Sequence, residues 1–120
     1  LELGFPVYFL EYIVVDEAPF LDTQTGMNHA CESETSLMLA YDESLVDPIY
    51  KETTGYPGGC TRHEDEGVLH TFHRMEAHTV NGVMGNSYAA TKEKGEAIAD
   101  VNTKKLVEIL SDETIWQMKV

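Results

Sequence analysis

The stretch Asn28-His29-Ala30-Cys31-Glu32-Ser33-Glu34 puts an imidazole at the end of a loop, directly ahead of a helix-prone run, with two carboxylates within the next five residues. A carboxylate that accepts from one imidazole nitrogen fixes the tautomer and raises the basicity of the other, which is how a histidine becomes a general base or acid. The same spacing has a structural reading, in which His29 caps the helix while Glu32 and Glu34 serve the positive end of its dipole. Spacing alone leaves both open.

A second group, His63-Glu64-Asp65-Glu66 followed by His70, His73, Glu76 and His78, offers metal-ligand side chains. On a helix His70 and His73 share a face, and Glu76 would complete a site. No known ligand motif fits, and a solvated polar segment, or one touching another subunit, is the better account. Cys60 follows Gly58-Gly59, and His63 could serve it as a base, but the spacing adds no further support for a nucleophile.

These residues need elements to position them. Pro6 to Val15 is nearly continuous in β-branched and aromatic residues and predicts a strand buried on both faces, as in a parallel sheet. Asp16 to Met27, with Pro19, Asp22, Thr23, Thr25 and Gly26, predicts a loop. A largely buried helix is expected from Glu32 to about Asp42, with Pro48 limiting any continuation. Residues 51–67 read as an irregular excursion, Val68 to Val80 lacks a clean period, and Asn81-Gly82 signals a turn. Ser87 is the expected N-cap of a long amphipathic helix from Tyr88 to Leu110, whose stripe of Ala90, Ala97, Ile98, Val101, Leu106, Ile109 and Leu110 would pack on a sheet. One strand and two helices make a poor sheet alone, so neighbouring strands are expected from elsewhere.

The chain has 120 residues, 21 Asp and Glu against 8 Lys and Arg, and a formal charge of −13. Nucleic acid and anionic membrane surfaces are disfavoured as partners, since both demand a cationic footprint. At 42% apolar and 9% aromatic the composition suits a folded protein rather than a disordered acidic chain. Leu1-Glu2-Leu3-Gly4-Phe5 has neither a basic start nor a cleavage site, and Cys31 and Cys60 lack finger or redox spacing. Reduced thiols and a cytoplasmic setting are therefore expected.

His29-Ala30-Cys31-Glu32-Ser33-Glu34-Thr35-Ser36-Leu37-Met38-Leu39 resembles the His-Ala/Gly-Gly-x-x-Glu-Thr-Ser-Leu-Met-Leu signature of the creatininase family. Leu45-Val46-Asp47 looks like the segment that closes the signature helix. Gly82-Val83-Met84-Gly85-Asn86-Ser87-Tyr88-Ala89-Ala90-Thr91-Lys92-Glu93-Lys94-Gly95-Glu96 is similar to the family's Gly-Val-x-Gly-Asp-Pro-x-x-Ala-Thr-x-Glu-Lys-Gly-Glu motif. The Val7 to Ile13 run matches the strand before the signature loop, so the pieces fall in family order.

The resemblance implies a metal-dependent hydrolase of amide or other C–N bonds on a three-layer α/β fold with a mostly parallel sheet, often assembled as a hexamer. In such enzymes two divalent ions, zinc, manganese or iron, activate a bridging water. His29 would lie beside the metal centre, touch the small-molecule substrate and pass protons to the leaving nitrogen, with Glu34 as its support. Thr25 and Gly26, in the loop before it, would also face the substrate.

The departures define a further expectation. The family's Glu-x-His and Asn-Gly-His-x-x-Asn ligand motifs do not precede the signature here, so residues 1–120 are expected to be the C-terminal portion of a single such domain. The metal ligands would then come from an N-terminal half or a companion chain. Ile13 and Thr25 stand where creatininase carries tryptophans, which argues against creatinine as substrate; Cys31 replaces a Gly, and Asn86-Ser87 an Asp-Pro. The alternative is a non-catalytic assembly subunit or remnant that keeps the family packing.

Overall fold

Two helices organise the part of the chain that carries the signature. The computed structural model describes residues 8–11, 15–55 and 74–117, apart from the His78 side chain. Helix α1 spans Glu32–Asp42, as the sequence predicts. Its N-cap, Cys31, is extended and supplies no side-chain cap; the Glu32 N–H donates instead to Gln24 Oε1 at 3.3 Å, and the Glu34 carboxylate reaches back past the cap to accept from the Ala30 N–H at 2.5 Å. At the other end the Asp42 carboxylate accepts from the Ser44 N–H and hydroxyl, turning the chain into a 3-10 segment over Glu43–Leu45. Asp47 then caps a second 3-10 segment, Pro48–Glu52, through the Ile49 N–H, with Pro48 at a first-turn position where its missing donor costs nothing.

A short helix, α2, spans Met75–His78. The long helix α3 spans Lys92–Leu110, starting later than the sequence suggests. Ser87–Ala89 forms a separate 3-10 turn, and Ala90 and Thr91 are extended. The cap is Thr91, whose hydroxyl accepts from the Lys94 N–H at 3.2 Å. Ser87 is occupied instead with the carbonyl of Thr53 at 3.1 Å, so a good capping residue type is used to hold two loops together. Helix α4, Glu113–Trp116, follows an Asp112 cap.

Helices α1 and α3 pack against each other, and Leu39 and Ile98 are buried between them. Gly95 makes the close approach possible: a Cβ there would stand 1.9 Å from the Ser36 carbonyl oxygen. Ser36 adds a polar lock, donating to the Glu32 carbonyl at 2.6 Å and accepting from the Thr91 N–H at 3.1 Å. Of the expected apolar stripe on α3, Ala90 and Ile98 are buried, Ala97, Val101, Leu106 and Ile109 are half-buried, and Leu110 is exposed. The distal turns of α3 therefore carry apolar surface that the described residues do not cover.

Asn81 and Gly82 form the expected turn, with Gly82 at φ +83. Gly55 and Gly85 then make an isolated antiparallel bridge, each N–H donating to the other's carbonyl at 2.9 and 2.6 Å. No longer ladder exists among the described residues. Tyr8 to Glu11, within the run that reads as a strand, are not in a sheet, and Phe9 is 89% exposed. A strand needs neighbours to complete its hydrogen bonds, and the described residues offer this segment only a ring contact between Tyr8 and Trp116 and a bond from the Tyr8 hydroxyl to the Ile115 carbonyl.

Candidate active site

The loop from Asp22 to Cys31 carries Thr25, Gly26 and His29 and is tied down at both ends. At its entry the backbone N–H groups of Asp22 and Thr23 both donate to the Glu32 carboxylate at 2.9 Å, and the Thr23 hydroxyl adds a third bond at 2.6 Å. Gln24 returns the contact, accepting from the Glu32 N–H at 3.3 Å and donating to the Gly26 carbonyl at 2.5 Å. At its exit the Met84 N–H donates to the His29 carbonyl at 2.8 Å and Glu34 holds the Ala30 N–H. The Cys31 thiol is buried and accepts from the Asn28 N–H at 3.2 Å, which explains a sulfur at the cap without any reactive role.

Ala30 sits in the left-handed region at φ +48. A residue with a Cβ is strained there by about 1–2 kcal/mol. The Glu34 bond to its N–H and the Thr35 hydroxyl bond to its carbonyl, at 3.3 Å, hold it. The strain lies next to His29, in the peptide that leads into α1.

Charge at the loop entry is concentrated on Glu32, which is fully buried, and on Lys94. The Lys94 ammonium lies 2.6 Å from Glu32 Oε1, 2.7 Å from Asp22 Oδ2 and 2.7 Å from the Ala89 carbonyl. Burial alone would push the Glu32 carboxyl up, but the bonds from Asp22, Lys94 and Thr23 outweigh it and hold the group below the ordinary carboxylate range. For Lys94 burial works toward a lower value, and the bonds to Asp22 and Glu32 override it and raise the group above its usual range. A second buried acid, Glu17, accepts from the Ser33 hydroxyl at 2.7 Å through Oε2, while its Oε1 has no partner among the described residues.

The His29 side chain is exposed and makes no hydrogen bond among the described residues. Glu34 reaches the peptide that follows His29. Glu34 also lines a cavity of about 670 Å³, together with Ala30, Leu37, Met38, Ile49 and Val83. Thr25 is exposed and Gly26 half-buried on the same loop, and neither lines that cavity. Cys60, His63, His70 and His73 lie outside the described residues, as does the His78 side chain. Glu76 is exposed on α2.

Spacing could not reveal the most heavily bonded group. Lys94 and Glu32 lie 62 positions apart, one in each quoted motif, and their pairing appears only when α1 and α3 are brought together. The one sequence signal was Gly95 directly after Lys94, since a glycine inside an otherwise good helix marks a close approach.

The structure thus places His29, exposed, at the end of an anchored loop just ahead of α1, with Glu34 bonded to the peptide that follows it. The sequence model of one family, creatininase, described as creatinine amidohydrolase, matches residues 5–110. The chain belongs to the creatininase family, whose members are metal-dependent amidohydrolases. No curated protein and no solved structure matches the chain.

Among the described residues no three His, Cys, Asp or Glu side chains converge to hold a metal ion. The described part of the chain therefore does not fit the family's metal centre by itself.

Proposed function

We propose that this chain is the C-terminal portion of a creatininase-family amidohydrolase that cleaves an amide, cyclic amide or formamide C–N bond. His29 is its acid/base residue: the exposed imidazole carries a proton to the nitrogen that leaves as the C–N bond breaks. Glu34 acts as its support through the Ala30 peptide, and Thr25 and Gly26 flank the substrate on the same loop. The divalent ions of the family, zinc, manganese or iron, are held by an N-terminal half or companion chain. The particle is a cytoplasmic homo-oligomer, a hexamer by family resemblance, on the three-layer α/β fold. What carries this reading is the doubly anchored loop that presents His29 within a family match spanning most of the chain.

The test is amide hydrolysis by the assembled protein. Replacing His29 with Ala should lower kcat by about a hundredfold or more, as loss of a general acid does. Retained turnover in that variant would remove the catalytic assignment.

One observation favours a second reading, that the chain is a non-catalytic assembly subunit. Glu32, Ser36, Thr91, Lys94 and Gly95, all inside the quoted motifs, are engaged in packing α1 against α3 and the loop. On that reading the motif is kept for its packing, and His29→Ala assembles normally with unchanged turnover.

A further inference from the structure

We propose that Lys94, acting with Glu32, is a positioning residue for the His29 loop, fixing the loop's entry so that the imidazole meets its substrate from one direction. An ammonium has three donors. Those of Lys94 go to three separate segments: Asp22 at the loop entry, Glu32 in the first turn of α1, and Ala89 just ahead of α3. The Glu32 carboxylate is equally committed, accepting from the Asp22 N–H, the Thr23 N–H, the Thr23 hydroxyl and Lys94. Neither group has capacity left for a substrate, which separates positioning from catalysis.

The helix pair has other fastenings, in the Gly95 approach, the buried Ile98 and the Ser36 lock to Thr91. The loop entry has few: besides Glu32 and Lys94, Gln24 alone ties it back to α1. Without Lys94 the entry loses its link to Ala89 and keeps only its bonds to α1 through Glu32 and Gln24, while the exit stays fixed at His29 and Ala30, so the entry end loosens about that exit. A displacement of about 1 Å at a reacting group is enough to cost about a hundredfold in rate.

The effect on turnover rests on the catalytic reading of His29; the effect on the loop does not. The experiment is amide hydrogen exchange and steady-state kinetics on Lys94→Met in the assembled protein, with Thr23→Val as a variant that leaves both helices intact. In Lys94→Met, exchange at the Asp22 and Thr23 amides should rise by about tenfold or more while Leu39 and Ile98 keep their protection. kcat should fall by about ten- to a hundredfold with the pH–rate profile unmoved, because His29 is still present. Thr23→Val should shift both in the same direction by a smaller factor. Unchanged exchange at Asp22 and Thr23, or an equal rise at Leu39 and Ile98, would overturn the proposal. So would an unchanged kcat beside a hundredfold loss in His29→Ala. If His29→Ala leaves turnover intact, the catalytic reading is what fails, and the exchange data alone decide whether Lys94 holds the loop.

Discussion

At the residue scale the structure concentrates its unusual features in a few positions around one loop. Ala30 at φ +48 is the only non-glycine among the described residues in the left-handed region. Ala30→Gly should therefore be neutral to slightly stabilising, since relief of strain offsets the flexibility that glycine adds to the unfolded chain. Ala30→Val, with a β-branched side chain at positive φ, should cost about 2 kcal/mol more than the glycine variant in urea denaturation. Glu32 is the other extreme position. Glu32→Gln leaves the Lys94 ammonium, 17% exposed, without its closest charge and should cost about 3 kcal/mol. The pH dependence has a definite sign. A carboxyl held low in the folded state stabilises fully above its unfolded value, about 4.3, and loses that contribution as pH falls through the folded value. An amine held high stabilises fully below its unfolded value, about 10.4, and loses that contribution as pH rises through the folded value. The stability gap between the parent protein and Glu32→Gln should thus be flat from about pH 5 to pH 10 and close on the acid side first. A gap that widened below pH 4 in urea titrations would contradict the buried pairing.

At the scale of elements, what was legible followed from local chemistry. Acidic residues ahead of Leu37-Met38-Leu39 were enough to place α1 at Glu32–Asp42, and α3 ends at Leu110 as its pattern predicts. The start of α3 was not legible, because Ser87 and Thr91 are both good caps and the choice is made by tertiary partners. Ser87 bonds the Thr53 carbonyl, and Thr91 sits where Ser36 can accept its N–H. Family order made the site loop recognisable, but its anchors pair residues from distant segments, which no local pattern reports. The Gly95 contact makes the strongest prediction here. Gly95→Ala improves helix propensity yet drives a methyl into the Ser36 carbonyl, so it should destabilise by about 1–3 kcal/mol or force α1 and α3 apart. Gly26→Ala meets nothing within 4 Å and should change stability by less than about 1 kcal/mol, which makes it the control in the same denaturation series.

At the scale of the whole molecule, the described surface carries more exposed apolar side chains than its helices alone require. Phe9, Leu45, Ile49, Val107 and Trp116 are each more than half exposed. The strand expected over Pro6 to Val15 and the apolar end of α3 share a need for neighbours, which is why a sheet is legible in composition and yet is not formed by the described residues. Light scattering of the purified protein should therefore give a particle heavier than the 13.4 kDa of the chain alone. A monodisperse 13.4 kDa species would count against both readings of its role. One small feature also bears on how this region tolerates change. Gly55 and Gly85 are clasped by two reciprocal hydrogen bonds, and Gly85 rests against Cys31 at the cap of α1. The clasp also adjoins the histidine loop, because the N–H of Met84, next to Gly85, donates to the His29 carbonyl. A side chain at Gly55, whose Cβ would stand 1.9 Å from the Val83 carbonyl oxygen, should therefore disturb the exit of the histidine loop as well as the clasp.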